Sequence, residues 1–277
     1  MERKLTIPEY VLTPEEKWRR ATIANNFIFY KVMRNNPAVC KELLEILLEM
    51  KIESIEMHQE DEIDIDYDRK GIRLDLYAKN SSQSFDIEMQ VADTGELPER
   101  ARYYQGAMDL DDLKSGQKYK ELKDSYIIFI CLEDIFGKGL AKYTFENLCR
   151  EDTGIKLMDR AKKLFFICKN CDKMLNEEQK AFLKLVTNNE ATNTFTGQVS
   201  RLVEDAKHNT QWRIQYMNWE RQRTYDFDAG KEEGARQTSV EVARKLLQEK
   251  IAAETVAKCT GLSLEEVTEI KESLAKQ

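Results

Sequence analysis

The 277-residue sequence predicts an α/β protein: a mixed sheet flanked by helices, followed by an all-helical C-terminal region. Three observations carry this. Residues 74–78 and 85–90 alternate apolar and polar side chains with period two, on either side of the short polar stretch Lys79 to Ser84. That is the pattern of a strand hairpin. Residues 126–132, YIIFICL, form a continuous apolar run of strand length, which suits a strand buried on both faces. After about Cys171 the strand signals stop, no proline follows Pro98, and helical spacing continues to the end.

Taken in order, Thr13-Pro14-Glu15-Glu16 has the form of a helix start, with Thr as cap, Pro first and Glu third. This helix is expected to continue through Trp18, Ile23, Phe27, Ile28 and Val32. Pro37 opens a second helix with Leu43, Leu44, Leu47 and Leu48 on one side. Ile52 to Gln59 is an imperfect strand candidate. In the hairpin, Leu74, Leu76 and Ala78 alternate with Asp75 and Tyr77, and Phe85, Ile87 and Met89 with Asp86, Glu88 and Gln90. A helix is expected from about Leu97 to Lys114, stopped by Ser115-Gly116. Ala141 to Leu148 and Lys163 to Cys168 read as further strands. Helices are then expected over 177–186, 194–207, 210–224 and 230–250. The end, ETVAKCTGLSLEEVTEIKESL, reads as a helix, a Thr-Gly turn and a second helix capped by Ser263 with Glu266 at its third position. This is a helix-turn-helix outline, and an αα-hairpin packed on its own protein or on a second copy has the same pattern. Three parts follow: a sheet-bearing domain over 1–172, a helical extension over 173–229 and a helical tail over 230–277.

The formal charge is −7 and the pI about 5.3, which argues against coating nucleic acid by bulk charge but leaves room for a local basic groove. Charge is uneven: Lys51 to Asp68 holds one lysine and eight acids, whereas Lys138 to Lys173 holds nine basic and five acidic residues. No run of 18 apolar residues occurs, so no membrane span is expected. The first ten residues have no signal-peptide core, and the six unevenly spaced cysteines look like reduced thiols, so a cytoplasmic protein is expected. The two histidines, His58 and His208, are far apart, which weighs against a histidine zinc site or a Ser-His-Asp triad. Cys168 and Cys171 form a CxxC with no partner pair, favouring structural thiols. Neither GxxxxGK[ST] nor GxGxxG occurs.

The acids in the hairpin carry the chemistry. With the turn centred near Ser81 and Ser82, Asp75 falls opposite Glu88 and Leu74 opposite Met89. Opposed side chains sit about 5 Å apart at Cβ, where like charges repel. A hard divalent cation relieves that repulsion, and Mg²⁺ typically takes one or two protein carboxylates plus water and phosphate. Bound there, it polarises a phosphodiester oxygen and favours hydroxide. Gln90 shares the face and can hydrogen-bond water or phosphate, but is neither a cation nor an ordinary base. Tyr77 and Asp86 face the same side. A hairpin whose polar face is simply solvated fits the same spacing.

The stretches NNFIFYKVM, GIRLDLYAKN, FDIEMQ, RARYYQGAMDLDDLKSGQKYKEL and YIIFICLEDIFGKGLAKYTF together span about residues 20 to 170. Their order resembles the PD-(D/E)XK nuclease core and, more specifically, the bacterial recombination-promoting nuclease and transposase family. YMNWE and GKEEGARQ resemble that family's tail. The resemblance implies a restriction-endonuclease-like core and a metal-dependent DNA endonuclease that hydrolyses phosphodiester bonds, linked to recombination or mobile elements. Asp75 matches the first acid of the motif and Glu88 the second, both on Mg²⁺, with Mn²⁺ as a substitute. Gln90 stands where most such nucleases have Lys, and Leu74 where the motif has Pro. Arg102, Tyr103, Tyr104 and Gln105 match a helix that flanks the site; Arg102, Tyr104, Gln105 and Lys118 are substrate-contact candidates, while Tyr103 and Tyr104 at helical spacing with Ala107 fit core packing equally well. Arg102, Lys114 and Lys118 are candidates for the missing positive charge. DNA is the expected partner, and a homodimer through the helical tail is a further expectation. The alternative is a catalytically inactive DNA-binding or assembly module of the same fold.

Overall fold

The computed structural model describes residues 12–57, 62–63, 72–91 and 95–275. Helix α1 (Pro14–Arg20) starts with the expected capping box: Glu16 N–H donates to Thr13 Oγ1 at 3.2 Å, and Thr13 N–H to Glu16 Oε2 at 2.9 Å. The single helix expected to reach Val32 is two. Asn25 accepts from the Ile28 N–H and caps a new helix, α2 (Asn26–Asn35). Pro37 then opens α3 (Pro37–Leu48), which buries Leu43, Leu44 and Leu47.

Of the strand expected over Ile52 to Gln59, β1 (Glu56–Met57) is described. His58, Gln59 and much of the acidic run up to Asp68 lie outside the described residues. Strands β2 (Glu62–Ile63) and β3 (Ile72–Arg73) pair separately. The hairpin is formed by β4 (Tyr77–Lys79) and β5 (Gln83–Gln90), with Tyr77 opposite Asp86 and Lys79 opposite Ser84. Continued toward the chain start, this register sets Asp75 opposite Glu88 and Leu74 opposite Met89, as the alternation predicts. Asn80 Oδ1 closes the loop by accepting from the Ser82 and Gln83 N–H groups.

Helix α4 (Leu97–Asp112) crosses over to β6 (Asp124–Cys131), which pairs parallel with β5. Gly116, at φ +89°, turns the chain after α4. Strand β8 (Ala161–Ile167) runs parallel to β6, and β7 (Lys142–Phe145) lies antiparallel against β8. Among the described residues the mixed sheet therefore has the order β1-β4-β5-β6-β8-β7.

Register decides what α4 covers. Ser84, Asp86, Glu88 and Gln90 lie level with Ser125, Ile127, Phe129 and Cys131 on β6. Helix α4 contributes Leu97, Ala101, Ala107 and Met108 to one apolar cluster with Tyr77, Ile127, Phe129 and Phe165. The polar face of the hairpin is thus roofed by a helix rather than solvated: Asp86 is 0% and Glu88 2% exposed. The opposite face, with Phe85, Ile87, Met89, Ile128, Ile130 and Phe166, is buried as well.

Helices α5 (Glu177–Asn188) and α6 (Thr194–His208) follow where expected. The two helices expected between 210 and 250 are one, α7 (Thr210–Gln248), with Gly230 and Gly234 inside it. Glycine lowers helix propensity by about 1 kcal/mol but, unlike proline, keeps its N–H for the ladder. The chain divides into two compact units, Met1–Arg213 and Ile214–Gln277. The second holds α8 (Ala253–Thr260) and α9 (Leu264–Ala275) around buried Ala243, Val256 and Val267. Gly261 takes φ +75° after α8, and Ser263 with Glu266 forms the expected capping box on α9. Among the described residues no helix is long and apolar enough to cross a membrane.

Candidate active site

Beyond Tyr77 the hairpin keeps one backbone bond, from Ile87 N–H to the Leu76 carbonyl at 3.0 Å, and then side chains take over. Asp75 N–H donates to Glu88 Oε1 at 2.8 Å, while Met89 N–H donates to Asp75 Oδ2 at 3.2 Å. The two acids are therefore each tied to the other's strand, which fixes both rotamers. Asn26, in the first turn of α2, donates to Asp75 Oδ2 at 3.4 Å. The NN pair at the head of α2 thus has two jobs, with Asn25 capping the helix and Asn26 facing the acid.

The cation on this cluster comes from α4. Arg100 Nη2 donates to Glu88 Oε2 at 2.9 Å and to the Tyr104 hydroxyl at 3.1 Å, and Nη1 donates to Gln90 Oε1 at 3.0 Å. Its guanidinium carbon lies 5.3 Å from the Tyr104 ring centroid and 5.7 Å from that of Phe129. Burial pulls the Arg100 pKa down, but Tyr104 and Glu88 outweigh it and hold the group charged. Glu88 is pushed up from an ordinary 4.5 to about 8, first by burial and then by the Asp75 charge. Asp86, two residues earlier on the same face, is raised well above the usual carboxylate range by burial, Glu88 and Asp75. Neither Asp86 carboxyl oxygen has a hydrogen bond of ordinary geometry, although Glu88 is near enough to favour a proton on Asp86.

At the other end of α4 a second acid group has a different balance. Lys79 Nζ lies 3.0 Å from Asp111 Oδ2, and Tyr77 donates to the same oxygen at 3.1 Å. Ser84 donates to Asp112 Oδ2. Lys123 Nζ reaches Asp112 Oδ1 at 3.1 Å as a point charge rather than along a hydrogen-bond direction.

Asp75, Glu88 and Gln90 thus come together with Tyr104, and Tyr104 is half-buried beside them. Gln105 is buried and donates to Ser125 Oγ on β6. Arg102 and Lys118 are exposed, the first on the outer side of α4 and the second in the turn beyond it, and Lys114 is exposed as well. Arg100 was not among the residues the sequence singled out. The available signal was its spacing from Tyr104, four residues on, beside the buried stripe Leu97, Ala101, Gln105 and Met108.

The donor set fits a hard divalent cation. It is all oxygen, among the described residues it sets three carboxyl groups against one guanidinium, and two of them are pushed toward the neutral form first by burial and then by neighbouring charge, Glu88 and Asp75 acting on Asp86 and Asp75 on Glu88. Asp75 and Glu88 are the pair that would hold the ion. Among the described residues no three His, Cys, Asp or Glu side chains form a ready-made cage, and a site of one or two carboxylates does not require one.

A mixed sheet with an acid-bearing hairpin packed under a crossover helix is the core of a PD-(D/E)XK nuclease. Residues 25–229 match the model of the PD-(D/E)XK nuclease family transposase, about three quarters of the chain, and the protein belongs to that family. Residues 236–272 match the C-terminal HTH domain of the Rpn/YhgA-like nuclease family. No curated protein and no solved structure is similar enough to match the chain.

Proposed function

We propose that the protein is a cytoplasmic, divalent-metal-dependent DNA endonuclease that hydrolyses phosphodiester bonds, linked to recombination or mobile elements. The observation that carries this is the Asp75–Glu88 pair, held carboxylate against carboxylate by reciprocal backbone hydrogen bonds, with Glu88 pushed up to about 8. Asp75 and Glu88 hold Mg²⁺, or Mn²⁺ in its place, which when bound polarises the phosphate and lowers the pKa of water. Asn26 and the Met89 N–H orient Asp75. Arg100 and the Asp75 N–H orient Glu88. Gln90 lies on the same side, where it can accept from an attacking water. Arg102 and Lys118, both exposed, are proposed as contacts to the DNA backbone beyond the reacting phosphate.

The test is nicking of supercoiled plasmid with Mg²⁺, Mn²⁺, Ca²⁺ or EDTA, on wild type, Asp75→Ala and Glu88→Ala. Nicking should require Mg²⁺ or Mn²⁺ and drop by about two orders of magnitude or more in both variants. Undiminished nicking by Asp75→Ala would sink the proposal.

The HTH match supports a tail that holds DNA or a second copy of the chain. Val256→Asp puts a charge into the small buried core of that unit. It should weaken DNA retention in a gel shift or dissociate a dimer seen by light scattering, yet leave plasmid nicking within a few-fold. Unchanged retention and unchanged mass would remove both roles from the tail.

A further inference from the structure

Gln90 is a neutral amide at the position where the PD-(D/E)XK pattern has its lysine, two residues after Glu88. We propose that Arg100 delivers the missing positive charge: its guanidinium is the catalytic group that contacts the scissile phosphate, and Gln90 is the positioning residue that holds it there. This rests on the nuclease function proposed above.

The geometry argues it in three steps. A lysine at position 90 would extend from β5 along the path now taken by the Gln90 side chain. Gln90 Oε1 marks the outer end of that path, and Arg100 Nη1 lies 3.0 Å from it. The charge therefore arrives at the same place from α4 instead of from β5. Next, exposure differs sharply across the ion pair: the Glu88 side chain is 2% exposed and that of Arg100 29%. Arg100 spans from the buried acid to the solvent side, where a substrate approaches. Finally, two of its three acceptors here, Gln90 and the Tyr104 hydroxyl, are neutral. They hold the guanidinium without cancelling its charge. Its remaining N–H groups, Nε–H and one on Nη1, point in fixed directions from a planar group and can each meet a phosphate oxygen, which an ammonium meets only as a point charge. The three contacts account for three of its five N–H donors.

The test moves the charge back to β5. Arg100→Gln removes it, and Arg100→Gln with Gln90→Lys restores it at the position the pattern uses. Binding of a labelled DNA duplex is read by anisotropy in EDTA over a salt series, so this readout needs neither metal nor turnover. Arg100→Gln should weaken binding several-fold and reduce the salt slope by about one. The double variant should recover both. In Mg²⁺, plasmid nicking should fall about 100-fold in Arg100→Gln, as for loss of a charge-stabilising donor, and recover at least about tenfold in the double variant. Gln90→Ala should lower nicking while keeping the salt slope, because the charge stays and only its tether is lost. Arg100→Lys guards against a folding artefact: it should fold and keep the slope while nicking more slowly than wild type.

Unchanged affinity and slope in Arg100→Gln overturn the proposal. So does a double variant that does no better than the single one. A wild type that never nicks, but whose metal-free binding still depends on Arg100, supports the phosphate contact and overturns the hydrolytic function alone.

Discussion

Asp86 and Glu88 on β5, with Asp75 just before β4, lie under the first half of α4, and Asp111 and Asp112 belong to its last turn. Among the described residues the first group meets the Arg100 guanidinium, through Glu88. The second meets two ammonium groups, Lys79 and Lys123, together with the hydroxyls of Tyr77 and Ser84. In the second group formal charge cancels. In the first, acid is in excess among the described residues: Asp86 has no ordinary hydrogen bond and burial with the Asp75 charge pushes Glu88 up to about 8. Relaxation is not complete at the second site either, since burial and Asp112 raise Asp109. The difference still separates the two. Buried acids are common as structural anchors when their charge is balanced, and an excess of buried acid persists where the surrounding fold enforces it for a task. What marks the candidate site is the imbalance of buried charge, not acidity.

Two variants break this comparison most directly. Asp75→Ala should cut metal-dependent nicking by about two orders of magnitude or more while the folded signal in circular dichroism is kept. Asp112→Ala should do the reverse. It strands Lys123 and the Ser84 hydroxyl beside a side chain that is 4% exposed. Removing one partner of a buried pair costs about 3 kcal/mol, readable as a lower urea midpoint with unchanged slope. Below its melting range the variant should nick within about tenfold of wild type. If Asp112→Ala lost nicking as completely as Asp75→Ala without losing stability, the two acid groups would not be functionally distinct.

The first group was legible in the sequence because a hairpin is a local object. Period-two alternation on both sides of a short polar loop fixes which residues share a face, and the loop centre fixes the register, so Asp75 opposite Glu88 followed from counting. The covering helix was legible as a helix but not in its placement. Where its first turn lands on β5 depends on the connection after Gln90 and on how Ala101 and Met108 seat on Phe129 and Ile127, which are contacts remote in sequence. Arg100 on Glu88 is a consequence of that seating, so no local pattern announced it. The same limit explains α2. The apolar spacing from Trp18 to Val32 ran on smoothly, and the break came from a cap, Asn25, within it. At Gly230 the difference has the opposite sign: glycine is a break signal in a sequence, and here the helical hydrogen bonds continue through it.

Titration sharpens the comparison at a smaller scale. Glu88 binds its proton with a pKa of about 8 in the folded protein against an ordinary 4.5. The folded state thus holds a proton that the unfolded chain releases, and the stability this contributes is present below about pH 4.5 and lost as pH rises to about 8. In EDTA, the melting temperature should therefore fall by several degrees across that window. Glu88→Gln should flatten the fall, because an amide does not titrate. Asp112→Asn should leave the slope in place, since it touches none of the groups around Glu88. A Glu88→Gln protein with the wild-type slope would assign the titration to other residues.

The smallest effect is the most discriminating, because its sign differs between the two acid groups. Asp75→Asn keeps an oxygen that can accept from the Met89 N–H and from Asn26 at the Oδ2 position. It also removes one of two charges that repel across the hairpin. Burial is the larger cause of the Glu88 shift and Asp75 the second, so neutralising Asp75 relieves only part of the strain. The metal-free protein should gain about 0.5 kcal/mol, within the range of a single cross-strand pair. Asp112→Asn is the same chemical change, made where a lysine lies at 3.1 Å and the carboxylate that Asp112 repels is Asp109. There it removes an attraction and should lower stability. Urea titrations of both variants in EDTA read the two signs side by side. Opposite signs mean that one carboxylate is held against its own electrostatics and the other by them. Equal signs would mean that the charge balance around the two groups does not govern their energetics, and the reason for assigning metal to one and anchoring to the other would be gone.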